Sequence, residues 1–312
     1  MNFYSKFEYP KLHQPVFLFA FAGWADAAES ATHALRYLAK RLNATKFAEV
    51  DPEEFYDFTQ VRPHTGFDSD GARKITWPSN ELYYINRMEG ESDIVIFIGT
   101  EPSLKWRTFC ENIVETLHEL EVSQVLHVGA LLDAVPHTRD TRITGTATSP
   151  ELQDLLQGVE VRRSRYTGPT GISGVLMDKL RKEKIPSVSL WGHAPHYLQV
   201  SPNPKVSLRL LQAVENLLSV DINVEQLFAQ GANFERRVEQ ALNNEPSVLD
   251  YIHRLESQWD IRVGANLEIQ KSDFGDAEVI DDMPNPEEAV QAFEEFLRQN
   301  SKNRENNEPT ND

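Results

Sequence analysis

The 312-residue sequence predicts an α/β protein: a mostly parallel sheet with helices on both faces, the doubly wound arrangement. Three observations carry that prediction. First, short apolar runs at residues 16–22 (VFLFAFA), 93–98 (DIVIFI) and 125–130 have the unbroken hydrophobicity of strands buried on both faces. Second, segments with apolar residues at helical spacing stand between them, for example Trp106, Phe109, Ile113, Leu117 and Leu120. Third, each run breaks abruptly into a glycine- or proline-bearing turn that carries polar side chains.

Taken in order, the strand at 16–22 turns at Gly23-Trp24-Ala25-Asp26 into a helix reaching Leu42, with Asp26 well suited to cap it. Residues 46–50 form the next strand. Phe55 to Phe58 and Val61 to His64 are irregular or edge structure, because Pro63 has no ladder donor. Residues 73–77 and 81–86 are expected to pair as a hairpin through Pro78-Ser79-Asn80. The strand at 93–98 ends in Gly99-Thr100-Glu101-Pro102-Ser103 and hands over to the Trp106 helix. The central strand, from Gln124, is expected to break after Ala130 into Asp133-Ala134-Val135-Pro136-His137-Thr138-Arg139. A further strand lies at 143–147, and Pro150 opens a helix at its first position. Gly168 to Gly174 leads into a helix ending at Lys182. The last strand, 187–191, is expected to give way to a Gly192-His193-Ala194-Pro195-His196-Tyr197 loop.

From Pro204 three amphipathic helices follow without strands, at 204–218, 224–242 and 248–259, as an accessory helical layer. The domain organisation is therefore an α/β domain over 1–203, a C-terminal helical region over 204–270 packed on it, and an acidic linker, short helix (287–299) and disordered tail over 271–312.

Composition narrows the function classes. A net charge of -17 repels phosphate backbones and no basic aromatic stripe offsets it, so no nucleic-acid partner is expected. The last 42 residues hold 12 acidic and 4 basic side chains; that segment is a solubilising tail or a dock for a basic partner. No apolar run is long enough to span a membrane and no secretory signal is evident, so a cytoplasmic protein without membrane contact is expected. The single Cys110 excludes an internal disulfide framework and a multi-thiolate zinc site, and its place inside the Trp106 helix makes it an inert thiol.

Four turns leave the carboxyl ends of the predicted core strands, where open α/β sheets bind ligands. They bring forward Trp24 and Asp26, Glu101, His137 and Arg139, and His193 and His196 as a candidate pocket. Asp26 can equally be a helix cap, and Glu101 can serve only a helix dipole. Pro-His occurs three times, at His64, His137 and His196, against about 0.5 expected from 9 His and 17 Pro. Proline holds the following imidazole at a rigid bend, which suits a preorganised site and a structural histidine alike. His193 and His196 with His137 or Glu101 are the nearest approach to a zinc set, but no HExxH and no thiolates accompany them, so no metal is expected. No GxSxG is present for nucleophilic catalysis. Gly168, Thr170, Gly171 and Ser173 form the candidate anion-binding turn at a helix start; the same glycines also suit close helix-to-sheet packing. Arg162, Arg163 and Arg165 lie just upstream, and the spacing is neither a dinucleotide fingerprint nor a P-loop, so no cofactor is expected.

Jointly, Gly23-Trp24-Ala25-Asp26, Phe55-Tyr56-Asp57-Phe58 with Arg62-Pro63, Trp77-Pro78, Gly99-Thr100-Glu101-Pro102 with Trp106-Arg107, Pro136-His137-Thr138-Arg139, Gly168-Pro169-Thr170-Gly171, and Pro195-His196-Tyr197 with Pro202-Asn203-Pro204 resemble the PAC2 family over roughly residues 15 to 260. That family is named after a proteasome assembly chaperone, and its bacterial members often carry an ATP-grasp or carboxylate-amine ligase label. No lysine-bearing glycine-rich loop with acidic metal ligands supports that label here. The resemblance implies a three-layer α/β/α domain similar to nucleoside phosphorylase and hydrolase-like folds, a C-terminal helical region and homotrimers. It supplies no catalytic residue set. Two function classes follow. One is a homo-oligomeric protein-interaction or assembly factor with a protein partner, whose Pro-His loops are rigid structural bends or an oligomer contact. The other is an enzyme or binder for a nucleoside-like or carboxylate small molecule, lined by Glu101, His137, Arg139 and His196.

Overall fold

The structure, a computed structural model, describes residues 3–8, 10–156, 159–161, 167–198, 200–242 and 246–269. Arg162, Arg163 and Arg165, the acidic linker, the helix expected at 287–299 and the polar tail lie outside the described residues. In chain order the elements are β1 (Tyr4–Phe7), β2 (Val16–Ala22), α1 (Ser30–Arg41), β3 (Thr45–Val50), β4 (His64–Phe67), β5 (Arg73–Thr76), β6 (Asn80–Ile85), β7 (Ile94–Thr100), α2 (Trp106–Glu119), β8 (Gln124–Asp133), β9 (Ile143–Ala147), α3 (Pro150–Asp154), β10 (Glu160–Val161), α4 (Ile172–Lys182), β11 (Ser187–Pro195), α5 (Pro204–Leu218), α6 (Glu225–Leu242) and α7 (Pro246–Ile269).

Among the described residues nine strands form one sheet in the order β1-β3-β6-β7-β2-β8-β11-β9-β10. Its centre, β7-β2-β8-β11, is parallel throughout. Three of these four, β7, β2 and β8, carry the apolar runs that the sequence marks, and β2 shows why such a run arises. Val16, Leu18 and Ala20 point into one core, while Phe17, Phe19 and Phe21 point into the other, so no position is left for a polar side chain. Antiparallel β6 and β9 flank the parallel centre.

The first core is closed by α1 and α5 through Ala31, Leu35, Leu38, Leu210 and Val214. The second is closed by α2 and α4 through Phe109, Ile113, Leu176 and Leu180. The result is a three-layer α/β/α body. The helical run that begins at Pro204 thus opens with a helix of the core layer. Then α6 packs on α5, and α7 on α6. No helix among the described residues is long and apolar enough to cross a membrane.

Three expectations are corrected. The hairpin is not 73–77 with 81–86: β5 pairs instead with β4 in a separate two-stranded sheet, while β6 enters the main sheet between β3 and β7. The turn that makes this possible is 68–72, where the Asp68 carboxylate accepts the amides of Asp70 and Ala72. Strand β8 does not break after Ala130 but continues to Asp133. Strand β11 likewise runs to Pro195, so His193 is a strand residue and not a loop residue. The two pair position by position from Val125 with Ser187 to Asp133 with Pro195, and this shared parallel ladder carries both past their apolar segments. Finally, the helix expected at 248–259 spans Pro246–Ile269.

Candidate functional site

The loops after β2 and β7 leave toward opposite faces of the sheet, one leading to α1 and the other to α2. Such a divergence opens a crevice between neighbouring parallel strands. Here the crevice is occupied by the protein itself. Glu101 reaches from the end of β7 and accepts the backbone amide of Ile172, the first residue of α4, at 2.7 Å; its other oxygen accepts the amide of Trp24 at 3.3 Å. Both glycines around it are there for space. A Cβ on Gly171 would lie 2.7 Å from Glu101 Oε1, and Gly23, at φ +127°, would bring one within 3.1 Å of Glu101 Cβ and Oε2. The candidate anion-binding turn and the candidate carboxylate are therefore two halves of one intramolecular contact: the helix start holds an anion, and the anion is Glu101. Ser173 is buried at the same helix start, Thr170 is exposed beside it, and Trp24 stands exposed at the rim.

Asp26 faces away from solvent. Its carboxylate accepts the amides of Ala31 at 2.6 Å and Thr32 at 3.3 Å, and the Thr32 hydroxyl, so it caps α1 across an intervening 3-10 turn. Burial pushes its carboxyl up from the ordinary value, and those three donors offset part of the rise.

His137, Arg139, His193 and His196 assemble elsewhere, around the carboxyl ends of β8 and β11. Asp133 is the hub. Its Oδ2 accepts His193 Nδ1 at 2.6 Å, Arg142 lies 3.5 Å from the same oxygen, and the Ala134 amide donates to Oδ1 at 2.7 Å. His193 Nε2 shares a hydrogen bond with the Thr144 hydroxyl at 2.9 Å. His196 Nδ1 meets the Asp133 carbonyl at 3.0 Å, and its Nε2 meets the Tyr251 hydroxyl of α7 at 3.1 Å. Burial works against ionised Asp133, but the bond to His193 and the charges of His193 and Arg142 outweigh it and hold the carboxyl below its usual value. Asp133, Arg142, Thr144, His193 and His196 are all buried.

In the Pro136-His137 bend, the Tyr197 hydroxyl accepts the His137 amide and pairs with His137 Nδ1, both at 2.8 Å. Burial and the Lys205 charge push the imidazole down to about 4, which leaves it neutral. The arrangement that uses every proton has the hydroxyl donating to Nδ1, so Nε2 carries the ring proton. Nε2 is buried without a hydrogen-bond partner and His137 lines a cavity of about 10 Å³, room for one water. Arg139 turns outward and clamps α7: two guanidinium nitrogens meet Asp260 at 2.9 Å each and a third meets Glu256 at 3.2 Å. Lys205 ties the His137 carbonyl to Glu235 of α6 at 2.5 Å each.

The candidate residues thus fall into two groups, Trp24–Glu101–Gly171 and His137–Arg139–His193–His196, and the second group consists of polar side chains bonded within the protein, with His137 Nε2 left unpartnered. Asp133, Arg142, Thr144, Tyr197, Lys205 and Tyr251 complete it but were not among the sequence candidates. Apart from Arg142, which is close to Asp133 in the chain, they meet the candidate histidines across about 50 or more positions, and only the β8–β11 register could have signalled them. His64, the third Pro-His, is exposed. Burial raises the Cys110 thiol to about 12, which leaves it inert. Among the described residues no cluster of three or more His, Cys, Asp or Glu could hold a metal ion.

Comparison with known proteins gives a consistent picture. The model of the PAC2 family matches residues 20–242. Among solved structures, a PAC2 family protein from Streptomyces avermitilis is 38% identical, with a TM-score of 0.67 over 76% of this chain and 99% of that one. A proteasome-assembly chaperone homologue from Mycobacterium tuberculosis is 34% identical, with a TM-score of 0.67 over the same shares. An archaeal proteasome activator from Pyrococcus furiosus, 19% identical, shares the fold with a TM-score of 0.63 over 76% of this chain and 97% of that one. No curated protein matches the chain.

Proposed function

The chain belongs to the PAC2 family, and on that premise we propose that it is a homo-oligomeric protein-assembly factor that engages other polypeptides through the carboxyl-end face of its sheet. The observation that carries this reading is the state of that face. Glu101, Asp133, His193 and His196 are bonded to this chain's own amides, carbonyls and side chains, and His137 Nε2 is the one ring nitrogen of the candidate set left without a partner among the described residues. What is left for a partner is aromatic and apolar: Trp24, Trp77 and Leu104 stand exposed on the loops around the strand ends. The similarity to a proteasome-assembly chaperone homologue makes proteasome subunits the first partner to test.

At the carboxyl ends of β8 and β11 a nucleoside-like or carboxylate ligand would meet the cavity at His137. Its volume, about 10 Å³, compares with the 300 Å³ or more of typical small-molecule sites. The small cavity at that face favours the reading proposed here, a trimeric, cytoplasmic protein that acts on polypeptides. The test is sedimentation of the purified chain with isolated proteasome α subunits. Comigration that is lost in Trp24→Ala/Trp77→Ala is the expected outcome. A chain that sediments alone and leaves subunit aggregation unchanged sinks the proposal.

A further inference from the structure

A cavity of about 250 Å³ opens at the amino ends of the parallel strands, the opposite pole of the sheet from the histidine cluster. Val16, Ile94 and Gln124 form one wall; they stand side by side in the register of β7, β2 and β8. The end of α5 supplies Leu217 and Leu218, and the loop before β7 supplies Arg87, Glu91 and Ser92.

The two charged side chains of this wall are engaged by the fold. Arg87 donates to the Leu218 and Ser219 carbonyls at 3.2 Å each, which closes the end of α5, and its guanidinium meets Glu91 at 3.1 Å. Cation and anion cancel, so an ionic ligand finds no net charge to answer its own. Gln124 and Ser92 differ. Both are half-buried, and neither side chain bonds to another group among the described residues. A glutamine carboxamide holds one acceptor and one donor side by side in a plane, and a serine hydroxyl serves as either. Their complement is a ligand edge carrying the same pair in reverse, as on a primary amide or a nucleobase. Val16, Ile94, Leu217 and Leu218 add the apolar bed that a flat ring needs. The volume falls just below the roughly 300 Å³ at which sites for drug-sized molecules begin, which suits one ring system and not a nucleotide.

We infer that this cavity binds an uncharged, amide-edged ring of nucleobase size, with Gln124 and Ser92 reading the edge. The site is remote from the Trp24 and Trp77 loops, so the inference is independent of the assembly reading above.

The probes are nicotinamide and uracil, with nicotinate as the charged counterpart of equal size and pyridine as the ring without an amide. Saturation-transfer NMR titrations of the full chain should show millimolar binding of nicotinamide and uracil, and binding of nicotinate and pyridine about tenfold weaker or less. Gln124→Leu removes the reading amide and Ser92→Trp fills the cavity. Each should weaken nicotinamide binding about tenfold or more without moving the thermal midpoint, because neither native side chain holds the fold together. Nicotinate binding as tightly as nicotinamide overturns the proposal. So does nicotinamide binding that survives Gln124→Leu, or a chain that takes up neither amide probe at millimolar concentration.

Discussion

Glu101 shows how much one carboxylate can be asked to do. It satisfies the first amide of α4 and the amide of Trp24, and so ties the β2 turn, the end of β7 and a helix start into one joint. Charge-assisted bonds at a helix start are worth more than neutral ones. Glu101→Gln is therefore expected to cost about 1 kcal/mol in urea unfolding. Gly171→Ala should cost a similar amount by pushing the carboxylate off Ile172, and the double variant should cost less than the sum, because both break the same contact. Additive losses would show that the two positions act separately. In the sequence, Glu101 and the Gly168–Gly174 turn each looked like half of a ligand site. Neither half announces that its ligand is the other, because 71 positions separate them and only the folded sheet brings them together.

At the scale of elements, Arg139 joins the loop after β8 to α7 with one side chain and two carboxylates, beside the His196–Tyr251 bond. Arg139→Ala should speed amide exchange along α7 while the amides of β2, β7 and β8 stay protected; unchanged exchange in α7 would mean that the clamp holds nothing. The parallel strands were legible because burial on both faces leaves an unbroken apolar run, and α1, α2 and α5 because their buried positions recur every three to four residues. The expected hairpin differs from the observed one for a physical reason. Residues 73–76 and 80–85 both read as extended, and pairing partners are chosen by the turn: Asp68 and Gly71 make a tight one, whereas Trp77-Pro78-Ser79 only carries the chain across to the main sheet. The local strand signal stops at Trp191, short of His193; the ladder to β8 is a long-range fact that a local pattern does not contain.

For the whole molecule, the buried imidazoles set the response to acid. Burial lowers His127 to about 3 and His137 to about 4, and lowers His33 and His196 as well. Unfolded, each would titrate near 6.5, so as pH falls through that value the unfolded chain binds protons that the native chain refuses. Stability must then drop between about pH 6.5 and 4, by up to ~1.4 kcal/mol per pH unit for each such histidine. Asp26, raised by burial, works in the opposite sense, while depressed carboxylates such as Asp133 extend the loss only below their unfolded value near 4. His137→Gln should flatten the slope of unfolding free energy against pH by about one proton's worth. An unaltered slope would mean that the ring is charged in the folded protein.

The way the main sheet ends bears on how the molecule behaves when crowded. Among the described residues, one side finishes on β1, four residues long with a register shift between Tyr4 and Lys6. Stubby, irregular margins offer an incoming backbone almost no rung to bind, which is how natural sheets avoid nucleating fibrils. The long apolar strands that would be hazardous in isolation are sealed between neighbours. The protein can therefore be recruited into assemblies through its side-chain surfaces, while the β1 margin of its main sheet leaves an incoming strand little backbone to pair with.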